Sequence, residues 1–413
     1  MALFLGGDAK YDHGVRFTVE FLGCKVSHVD AHEIRERLLA DGHSEISGAG
    51  ADVAVVNGCC VTGEAVAKSR KAAARAARSH THVYLTGCAA NIAPEALAGL
   101  PENVTVVRRR PEETAAFVAG DVGAIGCVQA DARLDRVRAF VKVQDGCSFS
   151  CGFCVSPLVR GASRSRSAAA VLAEARRRVE QGHREIVLTG INLGCYRDRD
   201  ARYDLPRLVR AVGETDGLER LRLSSIEINH VDAPLVAALR ETPTVSKHLH
   251  VPLQSGDDGV LRAMGRRYTT STYLRRLEPL ASELNLTTDV IVGFPAEDET
   301  AFAGTLETIE AAGITRVHAF PYSPRPGTRT AAEDPVPSSV KKARSARLRA
   351  LSHELEQRRW HAKLGSHDTV LVDRPGRGYG DDYSPFLIDA PVGALVRVRA
   401  HSVGEEGIYG IAA

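Results

Sequence analysis

Three cysteines spaced as Cys147-x-x-x-Cys151-x-x-Cys154, here called the loop triad, constrain this chain more than any other feature. They follow an apolar run from Ala139 to Val143 that is typical of a buried strand. Three thiolates on one loop can hold three irons of a cubane cluster and leave the fourth open, because such irons prefer soft anionic donors. The alternatives are coincidence or a zinc site that lacks one ligand. The spacing therefore predicts an iron–sulfur cluster with an open iron.

The nine cysteines stand out in an otherwise ordinary globular composition. An odd number argues against a closed disulfide framework, so metal or cluster ligation is the leading use. The formal net charge is only +2, so any basic surface that binds nucleic acid must be local. The opening residues lack a basic segment, and no stretch approaches the ~20 apolar residues of a membrane-spanning helix. We expect a cytoplasmic protein without a membrane segment.

A second group, here called the dispersed triad, comprises Cys24, Cys59 and Cys88. Each follows the end of a short apolar run, and helical stretches separate the runs, which predicts a parallel α/β domain. The carboxyl ends of parallel strands meet in one crevice, so these cysteines can form one ligand set. The alternative is that they are buried core thiols. The three runs extend from Phe17 to Leu22, from Val53 to Val56 and from Val83 to Thr86.

Six further strands with helical patterns between them follow from residue 139, fewer than the eight that close a full barrel. The simplest architecture is therefore an open, partial (β/α)6 barrel. Polar or glycine-rich runs at the strand ends let a ligand approach the backbone, although turn chemistry alone also explains each run. The candidate ligand-binding residues in these runs are Thr189, Gly190, Ser225, Glu227, Gln254 and Ser255. Arg160, beyond the cysteine loop, can grip a carboxylate or phosphate, or lie on a solvated basic loop.

A basic helix from Ser338 to Lys363 separates the barrel from a final segment of short apolar runs and turns, which predicts a small β-barrel. From Gly365 to Ala413 the segment has a net charge of −3, where phosphate binding favours positive charge. Contact with RNA there must rest on a few groups. The candidates are Arg374, Arg377 and Tyr379 in this segment and Lys341, Lys342 and Arg344 in the helix.

The cysteine loop QDGCSFSCGFCVSPLVRGASRSRS resembles that of the radical S-adenosylmethionine (SAM) methylthiotransferases. The segments around the dispersed triad resemble the amino-terminal domain of this family, and GRGYGDDYSPFLI is similar to the central turn of its TRAM domain. The resemblance implies three domains in one order. These are a flavodoxin-like parallel α/β domain over residues 16–126, a partial (β/α)6 radical SAM barrel over 133–363, and a small β-barrel TRAM domain over 364–413.

The resemblance also implies roles for individual residues. The dispersed triad would hold an auxiliary [4Fe-4S] cluster, the loop triad would hold a second one, and the polar strand ends would surround SAM. The chain reads Asn57-Gly58-Cys59-Cys60 where the family commonly has Asn-Thr-Cys, which leaves Cys60 as a rival to Cys59. Two further cysteines, Cys127 and Cys195, are most simply thiols without a ligand role.

The implied reaction is methylthio transfer to adenine C2 of N6-threonylcarbamoyladenosine beside the tRNA anticodon, because LTGINLGCY and RLSSIE resemble that branch of the family. The implied partners are tRNA, a flavodoxin- or ferredoxin-type electron donor and a sulfur donor, and we expect a monomer. One alternative is the same chemistry on another tRNA adenosine or on a protein side chain. A non-catalytic iron–sulfur RNA-binding protein is the other.

Overall fold

A computed structural model of the chain describes residues 14–48, 50–92, 94–123 and 137–413. Cys127 and the expected boundary between residues 126 and 133 lie outside these ranges. Within them, no helix combines the length and apolar character needed to cross a membrane.

The first part of the structure is a five-stranded parallel sheet in the order β2-β1-β3-β4-β5, which is the flavodoxin-like order that we expected. Every residue of the central strand β3 is buried, as is typical of a parallel strand covered on both faces. The strands are β1 Arg16–Phe21, β2 Ser44–Glu45, β3 Val53–Gly58, β4 His82–Thr86 and β5 Val104–Val106. The helices are α1 Lys25–Ala40, α2 Gly63–Ala76, α3 Gly87–Ala90 and α4 Pro111–Val122.

The second part is the partial barrel of six parallel strands, as predicted. Its two groups, β6-β8-β11 and β12-β13-β14, meet where Leu221 bridges to Val245. The strands are β6 Arg138–Asp145, β7 Arg164–Ser165, β8 Glu185–Gly190, β9 Arg197–Asp198, β10 Tyr203–Asp204, β11 Arg220–Leu223, β12 His248–His250, β13 Asn285–Val292 and β14 Ile314–Pro321. The helices are α5 Ser156–Arg160, α6 Ala168–Glu180, α7 Leu205–Gly213, α8 Ala233–Glu241, α9 Asp258–Ala263, α10 Thr270–Ala281 and α11 Glu299–Ala311.

The third part is a small closed barrel that follows the long helix α12, Ser338–Ala362. Its strand order β15-β16-β17-β19-β18 closes on itself, which removes the unpaired edges of an open sheet. The barrel encloses its own apolar core, which includes Val370, Phe386 and Val398. The strands are β15 His367–Arg374, β16 Arg377–Tyr379, β17 Pro385–Leu387, β18 Leu395–Val403 and β19 Ile408–Ala412.

The small barrel covers the amino-terminal end of the partial barrel. Arg222 donates to the backbone carbonyls of Gly380 at 2.7 Å and Asp381 at 3.0 Å. Arg220 donates to the carbonyl of Thr369 at 2.6 Å. Both guanidinium groups also pair with the fully buried carboxylate of Glu185. The opposite end of the partial barrel, where the cysteine loop begins, is therefore the end available to a substrate.

Candidate active site

The loop triad lies directly after β6, at the carboxyl-terminal end of the partial barrel. It borders a pocket of about 170 Å³, as expected of a site built from strand-end loops. All three cysteines are partly buried and none forms a disulfide. The other residues that line this pocket are Phe149, Phe153, Ser156, Ile191, Asn192, Ser225, Glu227, Pro252, Gln254 and Arg266.

Hydrogen-bond donors surround the sulfur atoms of the loop triad. The backbone N–H of Phe149 lies 3.4 Å from Sγ of Cys147, and Nδ2 of Asn192 lies 3.9 Å from the same sulfur. A guanidinium nitrogen of Arg266 lies 3.5 Å from Sγ of Cys151. Such donors stabilise thiolates, so this pocket fits a cluster held by three anionic sulfurs. Without a metal, burial raises the pKa of Cys154.

Three of the six residues expected at the strand ends line this pocket: Ser225, Glu227 and Gln254. Glu227 also receives a hydrogen bond from Arg266 at 3.3 Å, which fixes both side chains at the pocket wall. Gln254 adopts a positive φ of 66°, uncommon for a residue other than glycine.

The other three expected contacts lie behind the pocket wall. Thr189 and Ser255 are buried, and the Ser255 hydroxyl accepts a hydrogen bond from the backbone N–H of Asp257. Gly190 packs against Gln144, whose amide oxygen accepts from the backbone of Asn192. We had not singled out Asn192 or Arg266. The run LTGINLG pointed to Asn192, and no local sequence pattern distinguished Arg266 from the other arginines.

The dispersed triad comes together at the carboxyl ends of β1, β3 and β4, as parallel pairing predicted. Gly23 permits the close approach, because a Cβ there would lie 3.1 Å from Cβ of Cys59. Gly58 permits a second close approach, because a Cβ added there would lie 2.7 Å from Cβ of Ala89. Burial raises the pKa of Cys59 to about 11, and the nearby Cys88 and Cys24 add to the effect. Cys59 thus interacts with both other thiols of the triad at one sheet edge, which fits a cluster that would neutralise their repulsion.

Cys60 occupies a different position from Cys59. Its thiol hydrogen-bonds to Cys88, and this contact together with the charge of Arg160 lowers the pKa of Cys88 to about 7. The same contact, together with burial, raises the pKa of Cys60. Cys60 also lines a mostly apolar cavity of about 450 Å³, with Val155, Val159 and Arg325 among its other walls. Both Cys59 and Cys60 therefore lie beside Cys88, and Cys60 is still the rival ligand that the sequence indicated.

Arg160 does not line the pocket of the loop triad, so our expectation that it contacts the ligand of this pocket was wrong. Its Nε donates to Sγ of Cys88 at 3.0 Å, and its side chain is 1% exposed. Its terminal nitrogens pair with Asp30 at 2.7 Å and Asp145 at 3.0 Å. Lys142 also pairs with Asp30 at 2.7 Å, so two cations offset the burial of this carboxylate and lower its pKa. The network joins helix α1 to the strand that precedes the loop triad.

Two expected RNA contacts in helix α12 are buried, and here the sequence-based expectation was wrong. Lys341 pairs with Asp334 and donates to the carbonyl of Tyr322 at 3.1 Å. Arg344 pairs with the fully buried Glu297 at 2.6 Å. Their helix face packs on the partial barrel, so neither cation is available to a phosphate. Lys342, next in the chain, is exposed.

The aromatic turn of the small barrel also has an internal role. The ring of Tyr379 stacks on Tyr383 and lies 4.7 Å from the guanidinium carbon of Arg138, which corrects its assignment to RNA. Arg377 lies 3.6 Å from Glu406 and is 24% exposed. Arg374 remains exposed, and no ion pair is found for it within the described residues.

Comparisons with known proteins agree with this arrangement. The Radical SAM superfamily model matches residues 141–309, and the model of Uncharacterized protein family UPF0004 matches residues 16–108. A Chlamydia pneumoniae protein named threonylcarbamoyladenosine tRNA methylthiotransferase MtaB is 32% identical, covering 95% of this chain and 97% of its own length. The Bacillus subtilis protein of that name is 35% identical, covering 94% of each chain.

Two other similarities concern a relative named for a different tRNA nucleoside and a solved structure of similar fold. A tRNA-2-methylthio-N(6)-dimethylallyladenosine synthase from Paracoccus denitrificans is 32% identical and covers 96% of each chain. In fold, a radical SAM methyltransferase from Kitasatospora setae, solved with cobalamin and a [4Fe-4S] cluster, gives a TM-score of 0.57 at 13% identity, covering 77% of each chain.

The two cysteine triads and the partial barrel define a radical SAM enzyme. More specifically, the chain belongs to the radical SAM tRNA methylthiotransferase family, with two [4Fe-4S] clusters and SAM as cofactors.

Proposed function

We propose that this enzyme adds a methylthio group to adenine C2 of N6-threonylcarbamoyladenosine in tRNA, beside the anticodon. The observation that carries the proposal is the link between the triads. Arg160 contacts Cys88 of the dispersed triad and Asp145, which lies two residues before Cys147 of the loop triad. A sulfur-donating site and a radical-generating site must act on one carbon atom, so a buried link that fixes their separation fits this chemistry.

The side chains divide into two groups around the cofactors. We assign Cys147, Cys151 and Cys154 to the cluster that binds SAM, and Cys24, Cys59 and Cys88 to the auxiliary cluster. When bound, these cofactors supply the one-electron and sulfur chemistry that an unactivated adenine C–H bond requires. The chain itself positions SAM, through Ser225, Glu227 and Gln254 at the pocket wall, and donates hydrogen bonds to the ligating sulfurs.

The proposed substrate follows from relatives whose names specify threonylcarbamoyladenosine, one of them 35% identical to this chain. A second candidate is dimethylallyladenosine, because the Paracoccus relative named for it is 32% identical. Lys342 and Arg374 are the exposed cations that we assign to phosphate contacts. We further propose a monomer that acts on tRNA in the cytoplasm, with a flavodoxin- or ferredoxin-type reductant and a separate sulfur donor.

The proposal is tested by deleting the gene in its host and analysing digested total tRNA by mass spectrometry. We expect the methylthio derivative of threonylcarbamoyladenosine to disappear and its unmodified precursor to accumulate. The wild-type gene should restore the product, and a matched gene encoding Cys151→Ala should not. Loss of the dimethylallyl product alone would instead establish the second candidate. Persistence of both products, in a host with no second enzyme for either, would contradict the assignment to tRNA.

A further inference from the structure

Two other loops of the partial barrel hold the outer side of the cysteine loop. The backbone N–H of Gly152, between Cys151 and Cys154, donates to the carbonyl of Met264 at 2.8 Å. The carbonyl of Gly152 accepts from the backbone N–H of Thr330 at 3.1 Å and from its hydroxyl at 3.0 Å. Hydrogen bonds therefore connect the cysteine loop directly to the two loops that contain Met264 and Thr330.

Arg329 lies on this junction. A Cβ added at Gly152 would lie 3.1 Å from Nη2 of Arg329, and one added at Gly265 would lie 2.9 Å from the same nitrogen. This guanidinium group also donates to the carbonyl of Ala263 at 3.1 Å. Arg329 is exposed, and so is Arg262, which precedes Ala263 in the chain. Within the described residues, neither arginine has a carboxylate within ion-pair distance, so two unpaired cations mark this part of the surface.

Apolar surface adjoins these cations. Leu158 in helix α5 is 57% exposed. A Cβ added at Gly327 would lie 3.0 Å from Cδ1 of Leu158, so the loop that carries Arg329 contacts this leucine. Here the loop face denotes the exposed residues Leu158, Arg262, Ala263, Pro326, Gly327 and Arg329. It combines a small apolar part with two positive charges.

The loop face lies apart from the pocket of the loop triad. None of its residues lines that pocket, whose walls include Ser225, Glu227 and Gln254. A nucleotide must enter the pocket to reach SAM, whereas an electron needs only a short path to the ligating sulfurs. The hydrogen bonds at Gly152 lie on such a path, because Gly152 directly follows Cys151. The position of the loop face therefore suits an electron donor better than it suits RNA.

We propose that the loop face docks the electron donor, a protein whose redox cofactor is surrounded by acidic side chains. This docking rests on the proposed function, which includes a protein reductant. A single electron passes from the reduced cofactor of the partner, which is oxidised, to the cluster of the loop triad, which is reduced. Arg262 and Arg329 attract the acidic partner, and the exposed Glu333 offsets only one of the two charges. Redox partners form weak and small interfaces, so a surface of this extent is sufficient.

The test measures reductive cleavage of SAM by the reconstituted full-length enzyme with two reductants. One is fully reduced flavodoxin, and the other is reduced methyl viologen, a small cation that needs no docking surface. Electrostatic steering raises association rates by about 10- to 1,000-fold, so Arg262→Glu with Arg329→Glu should lower the flavodoxin-dependent rate at low salt by a factor in this range. The rate with methyl viologen should stay unchanged.

A matched control reverses two arginines away from the loop face. Arg176→Glu with Arg177→Glu changes two exposed residues of helix α6 and should keep both rates. Affinity gives a readout that does not depend on catalysis. The variant of the loop face should bind oxidised flavodoxin more weakly than the wild type does, and added salt should reduce the difference.

Four outcomes decide the matter. If Arg329→Glu disturbs the cysteine loop and lowers the rate with methyl viologen, Arg262→Glu alone replaces the double variant and should lower only the flavodoxin-dependent rate. Equal flavodoxin-dependent rates in the wild type and the variant would overturn the proposed docking. Weaker tRNA binding with unchanged flavodoxin-dependent cleavage would overturn it in favour of RNA. A wild type that takes electrons from methyl viologen but from neither flavodoxin nor ferredoxin would overturn it as well.

The proposed function fails in a different way. Cleavage of SAM does not report on the tRNA nucleoside, so the docking of a reductant is measured independently of the substrate. With methyl viologen as the reductant, cleavage of SAM without any methylthio nucleoside would refute the proposed function and leave the docking intact.

Discussion

Nε of Arg160 lies 3.0 Å from Sγ of Cys88, and the two residues are separated by 72 positions in the chain. The contact crosses from the helix that follows the loop triad to the sheet that carries the dispersed triad. An N–H donor and a positive charge at a ligating sulfur favour the reduced form of an iron–sulfur cluster. We therefore expect Arg160 to act as a positioning residue that also tunes the proposed auxiliary cluster.

Arg160→Ala should lower the reduction potential of the auxiliary cluster, and Arg160→Lys should lower it less because the charge remains. Arg160→Ala should also lose stability, because removal of one partner from a buried ion pair costs about 3–5 kcal/mol. Lys142, the other cation beside Asp30, would keep only part of the pairing to this carboxylate. Anaerobic redox titration followed by electron paramagnetic resonance measures the potential. An unchanged potential in Arg160→Ala would show that the contact with Cys88 has no electronic role.

The two triads predict about eight irons in anaerobically reconstituted protein, four for each cubane. Cys151→Ala should retain roughly half of this iron, because it leaves the dispersed triad intact. Iron assay and Mössbauer spectroscopy check the number. Full iron in a variant without Cys147, Cys151 and Cys154 would rule out the cluster at the loop.

Alanine variants of Cys59 and Cys60 form a matched pair that tests which of the two cysteines belongs to the dispersed triad as a ligand. Cys59→Ala should still support reductive cleavage of SAM but yield no methylthio product, because the loop triad remains intact. Cys60→Ala should keep its iron and most activity, since it removes only a hydrogen bond to Cys88. Loss of the auxiliary cluster in Cys60→Ala, with retention in Cys59→Ala, would reverse the ligand assignment.

Glu185 is the shared carboxylate of three arginines, of which Arg220 and Arg222 are buried and Arg138 is partly buried. Glu185→Gln should therefore destabilise the contact between the partial barrel and the small barrel by about 3–5 kcal/mol. Glu219→Gln removes a carboxylate from the exposed pair with Arg184 and should change stability little. Denaturant unfolding of both variants checks this difference. Equal stability of the two would contradict the structural role of Glu185.

Alanine substitution of two neighbouring lysines in helix α12 should have different effects, one on tRNA binding and the other on stability. Lys342→Ala should weaken tRNA binding and make its salt dependence shallower, by roughly 0.7 in log–log slope for each lost phosphate contact to single-stranded RNA. Lys341→Ala should instead lower stability, because Lys341 is buried and pairs with Asp334. Binding titrations at several salt concentrations and thermal unfolding distinguish the two effects. A shallower salt dependence of tRNA binding for Lys341→Ala, with no change for Lys342→Ala, would contradict both assignments.

The strands and both triads were predictable because the signals are local: apolar runs of strand length, and thiols at their ends. The roles of Arg160 and Tyr379 were not, because their partners lie far away in the chain. Arg160 pairs with Asp30 across 130 positions, and the backbone of Tyr379 accepts from Arg220 across 159. An arginine pattern in a sequence does not distinguish a phosphate contact from a buried ion pair. Lys341 and Arg344 were misassigned for the same reason.

The most direct test of the central claim is methylthio transfer in a purified system. The reconstituted enzyme is incubated anaerobically with SAM, a chemical reductant, a sulfide source and tRNA that carries threonylcarbamoyladenosine. The nucleosides are then analysed by mass spectrometry. We expect the methylthio derivative of threonylcarbamoyladenosine with the wild type, and its absence with Cys59→Ala and with Cys151→Ala. Cleavage of SAM by the wild type without any methylthio nucleoside, or formation of the product by either variant, would contradict the account.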